Sequence, residues 1–256
     1  MKSLLLLLLL TFAKASPSFE GKLSLNSTNS TTLKEGGIPR SCLYYLNQGI
    51  RQNGFYQLYD YNNQIYVAFC DLSNEPGSAW TLVMSWMTEK YRGLPNFKSK
   101  VFYEDAPINE DSPNWQIYRQ TYYQMYSIRQ RSTHWRATCN VQEYTSTIDY
   151  QDYLRGKFSD FDIMNHDSVG SCQPVEYVNI LGKVGGRGTT VGLWQYYNSY
   201  LLHIDSSDTG CEYIPFAVPR VDYFGYYGNG MSSKFHCSQS LYSTTQWWFG
   251  GYLEEH

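Results

Sequence analysis

Apolar and polar positions alternate most regularly within residues 41–86. Residues 57–60 and 64–70 read there as two short strands, joined across Asn62-Asn63, a pair that tolerates positive φ and so suits a tight turn. Further strand-like runs fall at 80–87, 134–141, 175–181, 190–196 and 200–204. Helical spacing is found twice. In residues 41–50, Leu43, Leu46 and Ile50 fall near one face. In residues 112–131, Trp115, Tyr118, Tyr122, Met125 and Ile128 recur on one side, with Ser112-Pro113 as the start signal. The pattern predicts an α+β chain of mainly antiparallel strands, with a long loop-rich C-terminal subdomain after Ile204.

The cysteines sharpen this picture. Cys42 and Cys70 bracket the first strand pair, and a two-stranded hairpin alone is marginal in water, so a disulfide between them is expected. Three pairings then remain open for Cys139, Cys172, Cys211 and Cys237. The shortest loops close with the least entropy loss, which favours Cys139 with Cys172 and Cys211 with Cys237.

The run NGFYQLYDYNNQIYVAFCDL, followed after a short loop by AWTLVMSW, resembles the opening of the fibrinogen C-terminal-like domain. The residues that carry the likeness are Cys42, Asn53, Gly54, Tyr56, Tyr66, Val67, Cys70, Asp71, Trp80 and Thr81. The resemblance implies a fibrinogen C-terminal-like fold over residues 41–256 and an extracellular setting. It also implies a calcium loop in the C-terminal part and an aromatic-lined pocket for acetyl groups near it.

The N-terminus points to the same compartment. Lys2, a leucine-rich run and an A-x-A step at Ala13-Lys14-Ala15 read as a signal peptide over residues 1–15. Residues 16–40 are rich in Ser, Thr, Asn and Gly and read as a disordered leader, with glycosylation sequons at Asn26 and Asn29. Loss of Lys2 and Lys14 with the signal peptide takes the formal charge from −3 to −5. That balance argues against nucleic acid, which calls for a concentrated basic face. No apolar run reaches the ~20 residues of a membrane span. A secreted protein with three disulfides is expected.

Candidate chemistry is sparse. There is no G-x-S-x-G elbow, H-E-x-x-H helix or P-loop, so the chain is read as non-enzymatic. The glycines of residues 182–192 suit a turn rather than a phosphate loop, and the scattered histidines read as structural. In HIDSSDTGCE, Asp205, Asp208 and Glu212 form a compact polar segment beside Cys211. Calcium takes about 6 to 8 oxygen ligands, which such a loop can supply, although the same residues also compose an ordinary Asx-type turn. A second acidic group, Asp160, Asp162 and Asp167, reads as a solvated edge. Trp247 and Trp248, with Tyr226 from a Tyr/Gly-rich stretch read as surface loop, are the candidate ligand-binding aromatics. If the segment STTQWWFGGYL, residues 243–253, is a strand, one of the adjacent tryptophans is expected to face outward.

The 25 tyrosines suit half-buried strands, and equally a matrix protein that crosslinks or stacks on sugars. The expected partners are extracellular matrix proteins or glycans. Two functions follow: an extracellular matrix or interaction protein, including one of a mineralised skeletal organic matrix, or a soluble calcium-dependent lectin for acetylated or other glycans.

Overall fold

The computed structural model describes residues 37–141, 148–207, 210–216, 218, 220–227 and 230–253. The signal peptide and the sequons at Asn26 and Asn29 lie outside them. In chain order the elements are α1 (Cys42–Asn47), β1 (Gly54–Tyr59), β2 (Ile65–Asp71), β3 (Ser78–Met87), α2 (Thr88–Arg92), α3 (Pro95–Lys98), β4 (Ile117–Arg119), α4 (Tyr122–Arg129), β5 (His134–Cys139) and β6 (Tyr153–Lys157). They continue with β7 (Ser168–Pro174), β8 (Tyr177–Ile180), β9 (Lys183–Val184), β10 (Thr190–Tyr196), β11 (Tyr200–Ile204), a 3-10 turn (His236–Ser238) and β12 (Thr244–Tyr252).

The strands form two sheets. In the larger, the order is β1-β2-β3-β12-β5-β6-β8-β9, with β4 paired to the far half of β3; in the smaller it is β11-β10-β7. Every strand pair named is antiparallel. The α+β, mainly antiparallel expectation therefore holds.

The residues of the N-terminal motif pin its hairpin. Asn63 adopts φ 61° at the turn, as the sequence requires. The side-chain oxygen of Asn53 accepts from the backbone N–H of Leu72 at 2.6 Å and of Ser73 at 3.1 Å, which ties the loop after β2 to the start of β1. Thr81 Oγ1 accepts from Cys42 N at 3.0 Å, satisfying a donor that the first turn of α1 leaves free. Cys42 and Cys70 are bonded, closing the unit.

Two expectations about the elements are corrected. The helix of residues 112–131 is confined to α4. Thr121 and Gln124 form a reciprocal capping box that starts it, and the preceding residues pair Ile117–Arg119 with β3 instead. The region after Ile204 is not all loop, because β12 occupies the middle of the large sheet between β3 and β5. Both faces of that sheet are covered, so β12 is buried along nearly its whole length and shows no alternation. Its glycines permit a close approach: a Cβ on Gly250 would lie 2.0 Å from the Ala79 carbonyl oxygen.

The remaining disulfides are Cys139–Cys237 and Cys172–Cys211, not the nearest-neighbour pairs. Loop entropy changes by only ~0.6 kcal/mol per doubling of length, so the position of the strands decides the pairing. Cys139 ends β5, and the Asn140–Thr244 bonds at the start of β12 draw the 3-10 turn carrying Cys237 against it.

Candidate functional site

Strand β11 carries His203 near its end, and Asp205 follows directly. Ile204 and Tyr223 exchange both backbone hydrogen bonds, each 2.9 Å, in an isolated antiparallel bridge. That register sets Asp205 opposite Asp222. His203 and Asp205, two residues apart in extended chain, project to the same side. The result is one ring nitrogen and two carboxylates whose ligand atoms all lie within 4.8 Å of one another.

The segment carrying Asp222 is fixed from several directions. Tyr91 Oη donates to the Gly225 carbonyl, Tyr223 Oη to the Phe216 carbonyl, and Tyr227 Oη shares a hydrogen bond with Thr245 Oγ1. Gly225 lies so close to β11 that an added Cβ would stand 1.8 Å from the Leu202 carbonyl oxygen. Phe224 adopts φ 58° beside it.

Hydrogen bonds orient the three groups. His203 is 3% exposed, and its Nδ1 bonds the Leu201 carbonyl at 2.8 Å, leaving Nε2 as the nitrogen with an available lone pair. A backbone carbonyl on the second nitrogen is the usual support of a metal-binding histidine. Asp205 Oδ1 accepts from Ser207 N at 2.7 Å and Ser207 Oγ at 2.5 Å, and Asp222 Oδ1 accepts from Ser206 N at 3.0 Å. Burial lowers the pKa of His203, outweighing the Leu201 bond and the nearby carboxylates. Burial, aided by the like charge of Asp205, raises that of Asp222 despite Ser206 and His203. The imidazole is thus held neutral, the form that binds metals.

This small site can coordinate a metal ion. Its chemistry differs from an all-oxygen cage: imidazole suits zinc and similar transition ions, whereas carboxylates also serve calcium, magnesium and manganese. Aromatic rings flank it. The Tyr226 ring lies 5.5 Å from that of His203, and Tyr200 lies 5.6 Å from Tyr226 and 5.9 Å from His203. Lys98 Nζ stands 5.8 Å from the Tyr226 ring centre.

Of the described members of the acidic trio, Asp205 joins this cluster and Glu212 does not. Glu212 turns away, its carboxylate accepting from Thr190 N at 3.1 Å, next to the Cys172–Cys211 bridge. Asp208 lies outside the described residues. His203 and Asp222 escaped sequence reasoning. The H-x-D spacing at a strand end was the available signal for the first, and nothing local marks the second. The other acidic group is separated, with Asp162 paired to Arg129 at 2.8 Å and Asp167 bonded to Tyr103.

The tryptophans are not a surface platform. Trp247 and Trp248 are both 0% exposed, because adjacent strand residues enter the cores on opposite faces of a sheet covered on both sides. Trp247 packs on Phe102 and Trp135, and Trp248 on Phe69. The stretch read as surface loop is also largely inside: Tyr223, Phe224 and Tyr227 are buried, and Tyr226 is half-buried at the cluster.

A second polar assembly lies under the N-terminal hairpin. Arg136, fully buried, bonds Asp71 at 2.5 Å and Glu75 at 2.6 Å. Its guanidinium lies 4.5 Å from the Trp80 ring centre and 5.0 Å from that of Trp248. Tyr153 Oη and Arg155 Nη1 donate to the other Glu75 oxygen. Burial disfavours the charge on Arg136, but Asp71 and Glu75 more than compensate and its pKa is raised. Every charge here has a partner, which reads as anchorage of the hairpin to the sheet.

Among the described residues no helix is long and apolar enough to cross a membrane. A scan against protein-family models and a search of curated proteins return no match to this chain.

Proposed function

We propose that the protein is a secreted, non-enzymatic interaction module of the extracellular matrix, built on a fibrinogen C-terminal-like scaffold, that binds glycans in a cation-dependent way. The observation that carries this reading is the His203–Asp205–Asp222 cluster with Tyr226 at its side. A divalent ion there neutralises two facing carboxylates and keeps coordination positions for ligand hydroxyls, while the tyrosine ring offers a face on which a sugar packs. The ring nitrogen favours zinc over the calcium that the acidic loop alone suggested, and the two carboxylates also admit manganese. The N-terminal motif, the signal-peptide pattern and three disulfides support the scaffold and the compartment.

Glycan-array binding measured in buffer, after chelation and after return of zinc or manganese tests this. The expected result is binding that disappears with chelator, returns with the ion and weakens in Tyr226→Ala. Binding indifferent to chelation, or no glycan binding with metal supplied, overturns it.

A structural role in the matrix, including a mineralised one, has an observation of its own. The side chains of Tyr61, Tyr123, Tyr150, Tyr196, Tyr197, Tyr200 and Tyr242 are exposed and available for oxidative crosslinking. Dityrosine in hydrolysates of protein from its tissue supports that role; its absence removes it.

A further inference from the structure

A cleft of about 870 Å³ opens beside α1 and the end of β12, and three arginines line it: Arg40, Arg51 and Arg131. No described Asp or Glu lines it. In a chain of net charge −3, this is a local reversal of sign.

The guanidiniums are oriented by neutral acceptors. Arg51 Nη1 donates to the Leu46 carbonyl at 2.7 Å and the Ile50 carbonyl at 3.0 Å. Arg40 Nη2 donates to Asn63 Oδ1 at 2.6 Å, and its Nη1 to the Asp60 carbonyl. Such bonds hold position without cancelling charge, and each arginine retains unused N–H donors from its five. The Arg131 guanidinium makes no hydrogen bond or ion pair among the described residues. Carboxylates pair with Arg129, Arg136 and Arg155 elsewhere in the protein, whereas among the described residues none pairs with the three arginines that converge on this cleft.

Two further observations define the ligand. Arg40 and Arg131 also line an adjoining cleft of about 420 Å³ with Tyr61 and Gln130, so the basic surface continues beyond the first concavity. Tyrosine rings accompany it: Tyr44 and Tyr252 line the larger cleft, and Tyr61 is 68% exposed. Spaced guanidiniums match the fork geometry of sulfate and carboxylate groups, and flat rings in the same clefts suit pyranose faces.

We propose that this double cleft binds a sulfated polysaccharide, with its anionic groups on Arg40, Arg51 and Arg131 and its sugar rings against Tyr44 and Tyr61. The cleft shares no residue with the cation cluster, and this binding needs no metal.

The test is calorimetry of the full chain with a heparin hexasaccharide, its desulfated counterpart and a single-stranded DNA hexamer, each in the presence of chelator. Binding of the sulfated sugar, weakened by salt and by about tenfold in Arg131→Gln and further in Arg131→Glu, is expected. Among the described residues Arg131 makes no side-chain bond, so these variants should leave the fold intact, which circular dichroism checks. Equal affinity for the desulfated sugar, unchanged affinity in Arg131→Glu, no binding of the sulfated sugar in chelator, or tighter binding of the DNA would each overturn the proposal.

Discussion

Asp205 and Asp222 face each other across the bridge that joins Ile204 to Tyr223, so two carboxylates occupy a directly opposed pair of extended residues. Like charges placed so destabilise a strand pair. A bound divalent ion converts that repulsion into attraction, and the stability of the protein should report it.

Zinc or manganese at about 100 times its dissociation constant should add roughly 2.7 kcal/mol of stability. For a chain of this size that corresponds to about 5–10 °C in Tm. In Asp222→Asn the metal-free protein should melt no lower than the parent, because a like charge is gone and the amide oxygen still accepts from Ser206. The metal-dependent shift should vanish. Differential scanning fluorimetry with and without chelator checks both arms.

The ion pair of Arg136 with Asp71 is shielded from water on both sides, with 0% and 1% of the side chains exposed. Asp71→Asn leaves Arg136 one buried carboxylate short and should cost about 3–5 kcal/mol in urea unfolding. Glu89→Gln, on the exposed side of α2, should change stability by less than about 0.5 kcal/mol. Similar losses in the two variants would remove the anchoring role of Arg136.

Non-reducing peptide mapping should recover Cys42 with Cys70, Cys139 with Cys237 and Cys172 with Cys211. Replacing Cys139 and Cys237 together by serine opens a loop spanning 98 positions. Chain entropy sets that loss at about 4–5 kcal/mol, somewhat above the loss for the loop between Cys172 and Cys211. A peptide joining Cys139 to Cys172 would contradict the strand order.

Acid should weaken the fold. Burial lowers the pKa of His134 below the usual imidazole value of 6.5, outweighing Glu176 beside it. The unfolded chain therefore takes up this proton first, and stability falls as pH drops through 6.5. Glu176 works in the same direction at lower pH: burial raises its pKa, but Arg155 overcomes that and holds it below the usual 4.5, so its contribution is lost as the carboxylate protonates. His203, also lowered by burial, adds to the first step. His134→Gln should flatten the loss between pH 7 and 5.5 without removing it, as read from urea midpoints.

The parts legible in the sequence were those made locally. The hairpin of β1 and β2 shows alternation because β1 leaves one face partly wet, and Asn63 marks its turn. Strand β12 was illegible as a strand for the opposite reason: with cores on both sides, TTQWWFGGY needs no alternation, and its two tryptophans serve different faces. The cation cluster was half legible. Asp205 stands in a polar segment that draws the eye, whereas Asp222 arrives through a backbone bridge that no short-range pattern encodes. His203 reads as one apolar-face histidine until its neighbours are in place.

The most direct test of the central claim is calorimetric titration of chelator-stripped full-length protein with zinc and manganese, beside the Asp205→Asn/Asp222→Asn variant. The account predicts one ion bound per chain in the parent and none at that site in the variant, with the variant still folded by circular dichroism. No binding by the parent, or undiminished binding by the folded variant, would contradict it.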